Sequence, residues 1–248
     1  MINILVCGIC GKMGAAVANL LQNDAEARVC CGVDVTPCED GKIPVYKTFD
    51  SVKEKADVIL DFSSPAALNA ELDWAVKNGI PVVLAATGYD DSQLKLIDAR
   101  AEKIAIFKTA NFSIGVNLLV KLVREAALTL GEKFDIEIVE KHHNLKVDAP
   151  SGTALMLADG ANSAFGGGKQ YLNGRSGKTG KRGNEIGIHA VRGGTIVGEH
   201  DVIFAGEDEV ITLSHSASSK RVFAAGAIKA AKWLAGKPAG KYDMTDVI

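Results

Sequence analysis

Two adjacent histidines, a lysine and a Pro-Ser-Gly-Thr turn share one short run, EIVEKHHNLKVDAPSGTA (137–154), in a chain with five histidines in all. Residues of these types move protons and grip anions. Hydride addition to a C=N or C=O bond builds negative charge on the heteroatom, and a protonated His142 or Lys146 can supply the proton that quenches it. In a regular strand His142 and His143 face opposite sides, so one of the two points at the chemistry directly. Pro150 ends the strand and Ser151 is a good N-cap. The N–H groups of Gly152 and Thr153 then stand at a helix start, a seat for a carboxylate. Singly, each residue has an ordinary explanation as a surface histidine, a helix cap or a solvated charge. Together they fit an enzyme for a small, carboxylated, imine-like substrate.

A second cluster opens the chain. Gly8, Gly11 and Gly14 in GICGKMG follow the apolar INILVC and begin the helix-periodic MGAAVANLLQ. Their spacing differs from GxGxxG, so the context carries the signal. Strand, glycine turn and helix are followed about twenty residues later by Asp34, at the end of a second strand. That is the dinucleotide layout, with a pyrophosphate on helix N–H groups and an acid on the ribose hydroxyls. A ligand-free tight turn is the alternative. Asp34 would repel a 2′-phosphate, and VTPCED after it has no Lys or Arg, so NADH is favoured over NADPH, although Lys12 can meet a phosphate. AATG (85–88) and TANF (109–112), at two later strand ends, fall where a nicotinamide would lie, and equally suit plain turns. Cys7 and Cys10 form a CxxC, the spacing of a redox dithiol or half a zinc site. The glycine pattern explains that loop without them, and no metal is assigned.

The elements that position these residues change rhythm along the chain. Strand-like DVILDF, PVVLAAT and KIAIFKTA alternate with helical LNAELDWAVKNG, starting near Pro65, and DDSQLKLIDARAEK. This alternation predicts a parallel sheet with crossover helices on both faces. After Asn111 come a long amphipathic helix (116–130), a strand (134–143) and a helix (151–165). Residues 166–185 are glycine-rich and basic without periodicity and read as a mobile loop. Three strands with Gly-Gly and Gly-Glu-Asp turns and a last helix, VFAAGAIKAAKWLAG, complete the chain. The boundary falls near 111–115. Hydrophobic content of 47% and charged content of 23% exclude disorder as the default, and a net charge of −2 argues against a nucleic-acid surface. No apolar run approaches the roughly 18 residues of a membrane span. MINILVCGIC carries no basic leader, so a cytoplasmic protein with five reduced thiols is expected, all of them (Cys7, Cys10, Cys30, Cys31, Cys38) near the start.

The eighteen-residue run, together with GICGKMG, DFSSP (61–65), ATG (86–88), NFSIGVN (111–117) and HSASSKRVFAAGAIKAAKWL, resembles the dihydrodipicolinate reductase family, whose reaction is now described as 4-hydroxy-tetrahydrodipicolinate reduction, over nearly the whole chain. The resemblance implies an α/β protein. An N-terminal Rossmann-like parallel-sheet domain (1–112 and 219–248, the terminal helix returning to it) binds NAD(P)H. A mixed α/β domain (113–218) serves substrate binding and oligomerisation, usually as a homotetramer. The implied activity is NAD(P)H-dependent reduction of a small dicarboxylate, 4-hydroxy-tetrahydrodipicolinate, to tetrahydrodipicolinate in lysine and diaminopimelate biosynthesis, with no nucleic-acid or membrane partner. It implies His142 as proton donor/acceptor, Lys146 as proton donor, His143 as substrate-binding, and Gly152 and Thr153 as contacts to the substrate carboxylate. The implied cofactor contacts are Gly8, Ile9, Cys10, Gly11, Lys12 and Met13, then Asp34, then Ala85, Ala86 and Thr87, then Thr109, Ala110, Asn111 and Phe112. Two departures stand out. The family often has Gly-Thr-Thr-Gly where this chain has Ala85-Ala86-Thr87-Gly88. Val35 stands where many members carry Arg, which again favours NADH. Two other readings are a thiol-dependent dehydrogenase, for which no cysteine lies beyond Cys38, and a non-catalytic NAD sensor, which would not need Lys146.

Overall fold

Ile4, Leu5, Val6 and Cys7 are all buried, so the first strand, β1 (Ile2–Cys7), is covered on both faces, as the centre of a parallel sheet requires. The computed structural model describes residues 1–36 and 43–248; the expectations attached to Cys38 and to residues 37–40 lie outside the described residues. The glycine loop leads from β1 into α1 (Lys12–Leu21), followed by β2 (Ala27–Val33), β3 (Val45–Tyr46), β4 (Val58–Asp61), α2 (Leu68–Asn78), β5 (Val82–Leu84), α3 (Asp91–Ala101) and β6 (Ala105–Lys108). These strands are parallel, in the order β3-β2-β1-β4-β5-β6, which is the Rossmann order with its switch point between β1 and β4. Local signals set the helix ends. Gly79 closes α2 in the left-handed region at φ +66. Asp90 and Gln93 make a capping box at the start of α3. At Pro65 the chain makes a 3-10 turn, Pro65–Ala67, before α2 begins at Leu68.

Residues 113–220 form a second compact unit. It contains α4 (Ile114–Leu130), β7 (Asp135–His142), α5 (Gly152–Ser163), β8 (Gln170–Asn173), β9 (Glu185–Arg192), β10 (Gly198–Ala205) and β11 (Val210–Ala217). The sheet is mixed, in the order β11-β10-β7-β9-β8, with β7, β9 and β8 parallel and β7-β10-β11 antiparallel. One face carries Ile136, Ile138, Ile186, Ile188, Val202 and Phe204 against Leu119, Val123, Leu157 and Ala161 of α4 and α5. Residues 166–185 depart from the expected loop. Gln170–Asn173 pairs parallel with β9, and Lys169, buried, bonds Glu132 and Asn184. An edge strand of four residues, paired to a partner fifteen residues later, leaves no apolar periodicity to read.

The chain then returns to the first unit, which comprises residues 1–112 and 221–248. α6 (Arg221–Leu234) buries Ala224, Ala227, Ala230, Ala231 and Leu234, and β12 (Gly240–Tyr242) adds to the sheet beside β6 in parallel. Gly226 lets α6 approach closely: a Cβ there would collide with Phe112 O.

Candidate active site

In the first unit, three glycines shape the loop after β1. Gly8 has φ +72, and a Cβ on it would lie 2.8 Å from Phe62 O, so the loop is pressed against the end of β4. Gly11 is the N-cap of α1 and offers no side-chain cap. A Cβ on Gly14 would collide with Gly8 O and Ile9, so only glycine lets the helix start this close. Cys7 and Asp61 are register partners, which brings the loops after β1 and β4 to the same sheet edge. Asp34 follows β2, and its carboxylate accepts the N–H of Cys10 (2.9 Å) and of Thr36 (2.9 Å), so it faces the glycine loop. Because Gly8, Cys10 and Gly11 spend their N–H groups on Val33 O, Asp34 and Gly8 O, the uncapped first turn at Lys12 and Met13 is the part of the loop suited to a phosphate. A cleft of about 840 Å³ opens beside it, lined by Gly8, Asp34, Lys47, Ser63 and Trp74 among others. Ala85–Thr87 follow β5, and Thr109–Phe112 follow β6, at the same strand ends. A close-approach glycine cradle, an uncapped helix start, a facing carboxylate and an open cleft fit a dinucleotide.

Beneath this loop Cys7, Asp61 and Glu71 lie together, all buried. Burial pushes the Glu71 carboxyl and the Cys7 thiol well up, so both keep their protons. Asp61 accepts from Ser63 N–H (2.7 Å) and Ser63 Oγ (2.5 Å), which fixes the turn that backs Gly8. The group therefore serves hydrogen bonding. Cys7, Cys30 and Cys31 are free thiols. Cys10 is disulfide-bonded, against the expectation of reduced thiols, and its Sγ lies 3.1 Å from Thr36 O because the loop after β2 runs alongside the glycine loop.

In the second unit, the alternation of β7 carries polar residues into the buried row. Ile136, Ile138, Glu140 and His142 share the covered face, while Lys141 on the other face pairs with Glu199 and Asp201. Glu140 is fully buried and accepts four hydrogen bonds: His142 Nδ1 at 2.6 Å, Arg192 Nη1 and Nη2 at 2.7 Å each, and the Ser151 N–H at 3.0 Å. Burial pushes its carboxyl up, but the Arg192, His142 and Ser151 bonds outweigh that and hold it below the usual carboxylate range. An ionised carboxylate only accepts, so His142 carries its proton on Nδ1 and turns Nε2 outward. A Cβ on Gly198 would lie 3.1 Å from that Nε2, so glycine keeps the ring nitrogen accessible.

Arg192 Nη2 also donates to Asp148 O (2.7 Å), in the turn that carries Lys146. Lys146 Nζ is ion-paired with Asp148 at 2.7 Å and 2.8 Å. His143 lies just past the end of β7. Ser151 caps α5 through Ala154 N–H and contacts His200 Nε2 at 3.1 Å. Gly152 and Thr153 form the first turn of α5, and nothing lies within 4 Å of where a Gly152 Cβ would stand. His200 packs edge-on to His142 (5.2 Å), and burial, then the neighbouring His142, push its pKa down to about 4. The unit thus places His142, Lys146 and the α5 N-terminus around one buried carboxylate.

Family models described as Dihydrodipicolinate reductase, N-terminus and C-terminus, match residues 2–112 and 115–248. The chain belongs to the dihydrodipicolinate reductase family. It is 53% identical over 251 residues to the 4-hydroxy-tetrahydrodipicolinate reductase of Caldanaerobacter subterraneus subsp. tengcongensis, covering 100% of this chain and 98% of the relative. The enzyme of that name from Caulobacter vibrioides is 45% identical, with 100% and 97% covered. A solved structure, dipicolinate-bound dihydrodipicolinate reductase from Paenisporosarcina sp. TG-14, superposes with a TM-score of 0.82 at 26% identity over 100% of both chains. As a dihydrodipicolinate reductase family member this chain is an oxidoreductase using a pyridine nucleotide. No helix among the described residues is long and apolar enough to cross a membrane. Sequence reading assigned no role to Glu140, Arg192 or His200. The available signal was phase: Glu140 sits two residues from Ile138 and from His142, in the buried register of β7.

Proposed function

We propose that this chain reduces 4-hydroxy-tetrahydrodipicolinate to tetrahydrodipicolinate, with loss of water, in lysine and diaminopimelate biosynthesis, and that NADH is its preferred donor. The observation that carries the reading is the convergence on Glu140 of a histidine, a helix N-terminus and, through Arg192 and Asp148, the turn bearing Lys146. A bound nicotinamide supplies the hydride. Lys12 and Met13 receive the pyrophosphate and Asp34 the ribose hydroxyls, with Ala85–Thr87 and Thr109–Phe112 along the nicotinamide end. The Gly152 and Thr153 N–H groups and the Thr153 hydroxyl hold one substrate carboxylate, and His143 makes a further substrate contact. Loss of the 4-hydroxyl as water leaves a C=C conjugated with the ring C=N. Hydride adds to the carbon that bore the hydroxyl, and Lys146, released from Asp148 by the arriving dianion, protonates the ring nitrogen on which the electron pair arrives. His142 Nε2 takes or gives a proton at the same ring.

Asp34 and the absence of an Arg at Val35 favour NADH, while Lys47 in the same cleft leaves room for NADPH at lower efficiency. A cytoplasmic homotetramer is part of the proposal; its assembly is supported by partly buried Val139 and Ile203 and exposed Val191 on the uncovered face of the β7–β11 sheet. The test is oxidation of NADH and NADPH, with the product of the preceding synthase reaction generated in situ. The expected result is turnover with both and a higher kcat/KM for NADH. Absence of turnover with either cofactor overturns the assignment, and a preference for NADPH overturns the reading of Asp34.

A further inference from the structure

Glu140 is fully buried and Arg192 largely so, and between them they bond His142, the Ser151 N–H at the start of α5 and the Asp148 carbonyl in the turn that carries Lys146. We propose that they form a positioning pair: Glu140 fixes which nitrogen of His142 faces the substrate, and Arg192 balances the Glu140 charge so that His142 can cycle between its two protonation states. The proposal deepens the reading of His142 as a proton-carrying group and rests on it.

Glu140 Oε2 is shared between His142 Nδ1 (2.6 Å) and Arg192 Nη1 (2.7 Å), while Oε1 takes Arg192 Nη2 (2.7 Å) and Ser151 N–H (3.0 Å). The carboxylate is therefore saturated, and every partner is an N–H. Were Glu140 alone, a fully buried negative charge next to an imidazole would hold the ring as imidazolium and disfavour proton release. Bidentate pairing with Arg192 removes most of that bias, and its planar fork also clamps Asp148 O. The remaining groups around His142 are His200 on β10 and, one strand further, His215 on β11, with the Lys146–Asp148 pair on the loop that follows. Burial keeps His200 and His215 neutral near pH 7, so the charge felt by His142 comes chiefly from the Glu140–Arg192 pair and that loop.

Neutralising either partner exposes the other, and the two effects on His142 have opposite sign. E140Q leaves an uncompensated Arg192 cation, so the ionisation limb of kcat/KM moves to lower pH. R192M leaves an uncompensated Glu140 carboxylate, so the limb moves to higher pH. Each displacement is expected to be at least about one pH unit, the usual effect of an adjacent unpaired charge. NADH affinity, read by fluorescence titration, stays at the wild-type value in both. A residue that merely supports the fold would lower kcat without moving the limb, or move it the same way in both variants; either result overturns the proposal. Because burying an unpaired charge risks misfolding, a measurement on the unmodified protein runs beside the kinetics. Nitrogen-15 imidazole NMR of His142 in the absence of substrate is expected to show the Nδ1–H tautomer, and an Nε2–H tautomer overturns the proposal. Substrate plays no part in that spectrum, so its failure is separate from a failure of turnover.

Discussion

Lys146 stands in an ion pair with Asp148, and that pairing shapes what its loss should do. The side chain is about one-fifth exposed, so the pair is held by geometry and remains within reach of an incoming dianion. Lys146→Ala is expected to lower kcat by about 10²–10⁴-fold, the range for a lost general acid, with NADH affinity unchanged. Near wild-type turnover in that variant would take the proton away from Lys146. At the proposed anion seat, Thr153→Val keeps the side-chain shape and removes the hydroxyl. It should raise KM for the substrate and the inhibition constant of pyridine-2,6-dicarboxylate, at a cost of about 1.5–3 kcal/mol for one charge-assisted hydrogen bond. An unchanged inhibition constant would move the seat elsewhere. Arg175 and Arg182 are poor substitutes, because Arg175 is paired with Glu137 and Glu185, and Arg182 with Asp135 and Glu137. Residue type and spacing single out His142, Lys146 and the Ser-Gly-Thr turn, and the fold brings them into one unit. They do not single out Arg192, because its contact with Glu140 spans 52 positions of chain.

Among the elements, α1 shows how a single missing Cβ sets where a helix can start. Gly14 is buried in the first turn, and an added methyl meets the backbone of Gly8 and Ile9 rather than a side chain that can swing away. Gly14→Ala should therefore displace the helix start and weaken NADH binding by at least about tenfold, or 1.4 kcal/mol. Fluorescence titration reads the loss, and an unchanged dissociation constant would mean that the loop does not meet the cofactor. The strands buried on both faces, β1, β4 and β5, announce themselves as short apolar runs, and α3 by its Asp-x-x-Gln capping box. β3, β8 and β12 do not. They are two to four residues long, and backbone pairing to β2, β9 and β6 makes them strands. Pairing of that kind has no side-chain period to betray it.

At the scale of the whole molecule, protonation couples the site to stability. The His200 pKa of about 4 lies below the 6.5 of an exposed histidine, so the unfolded chain binds this proton more readily. Its contribution is fully present above pH 6.5 and is lost as pH falls towards about 4, a difference on the order of 3 kcal/mol. His215, also lowered by burial, acts with the same sign. Glu137, held at about 2 although burial opposes the Arg175 and His189 bonds that lower it, keeps its contribution until pH falls below the ordinary carboxylate value of 4.5. Urea unfolding of the wild type should thus weaken first between pH 6.5 and 4, and His200→Gln should flatten that limb. A wild-type profile flat over this window would show that His200 is not buried neutral.

Hydrophobic period and glycine placement sufficed for the alternating first half and the change of architecture after Asn111, and residue type marked the two candidate clusters, because those signals are written within a few residues of where they act. Tertiary structure decided the rest. The last helix and strand rejoin the opening 112 residues because α6 buries an alanine face there and β12 pairs with β6, and neither partner is near in sequence. Likewise, Glu140 alone is only an acid in a strand. It became the centre of the second site when β9 brought Arg192 and α5 brought Ser151 to it, and a hydrogen bond between distant segments leaves no spacing to read.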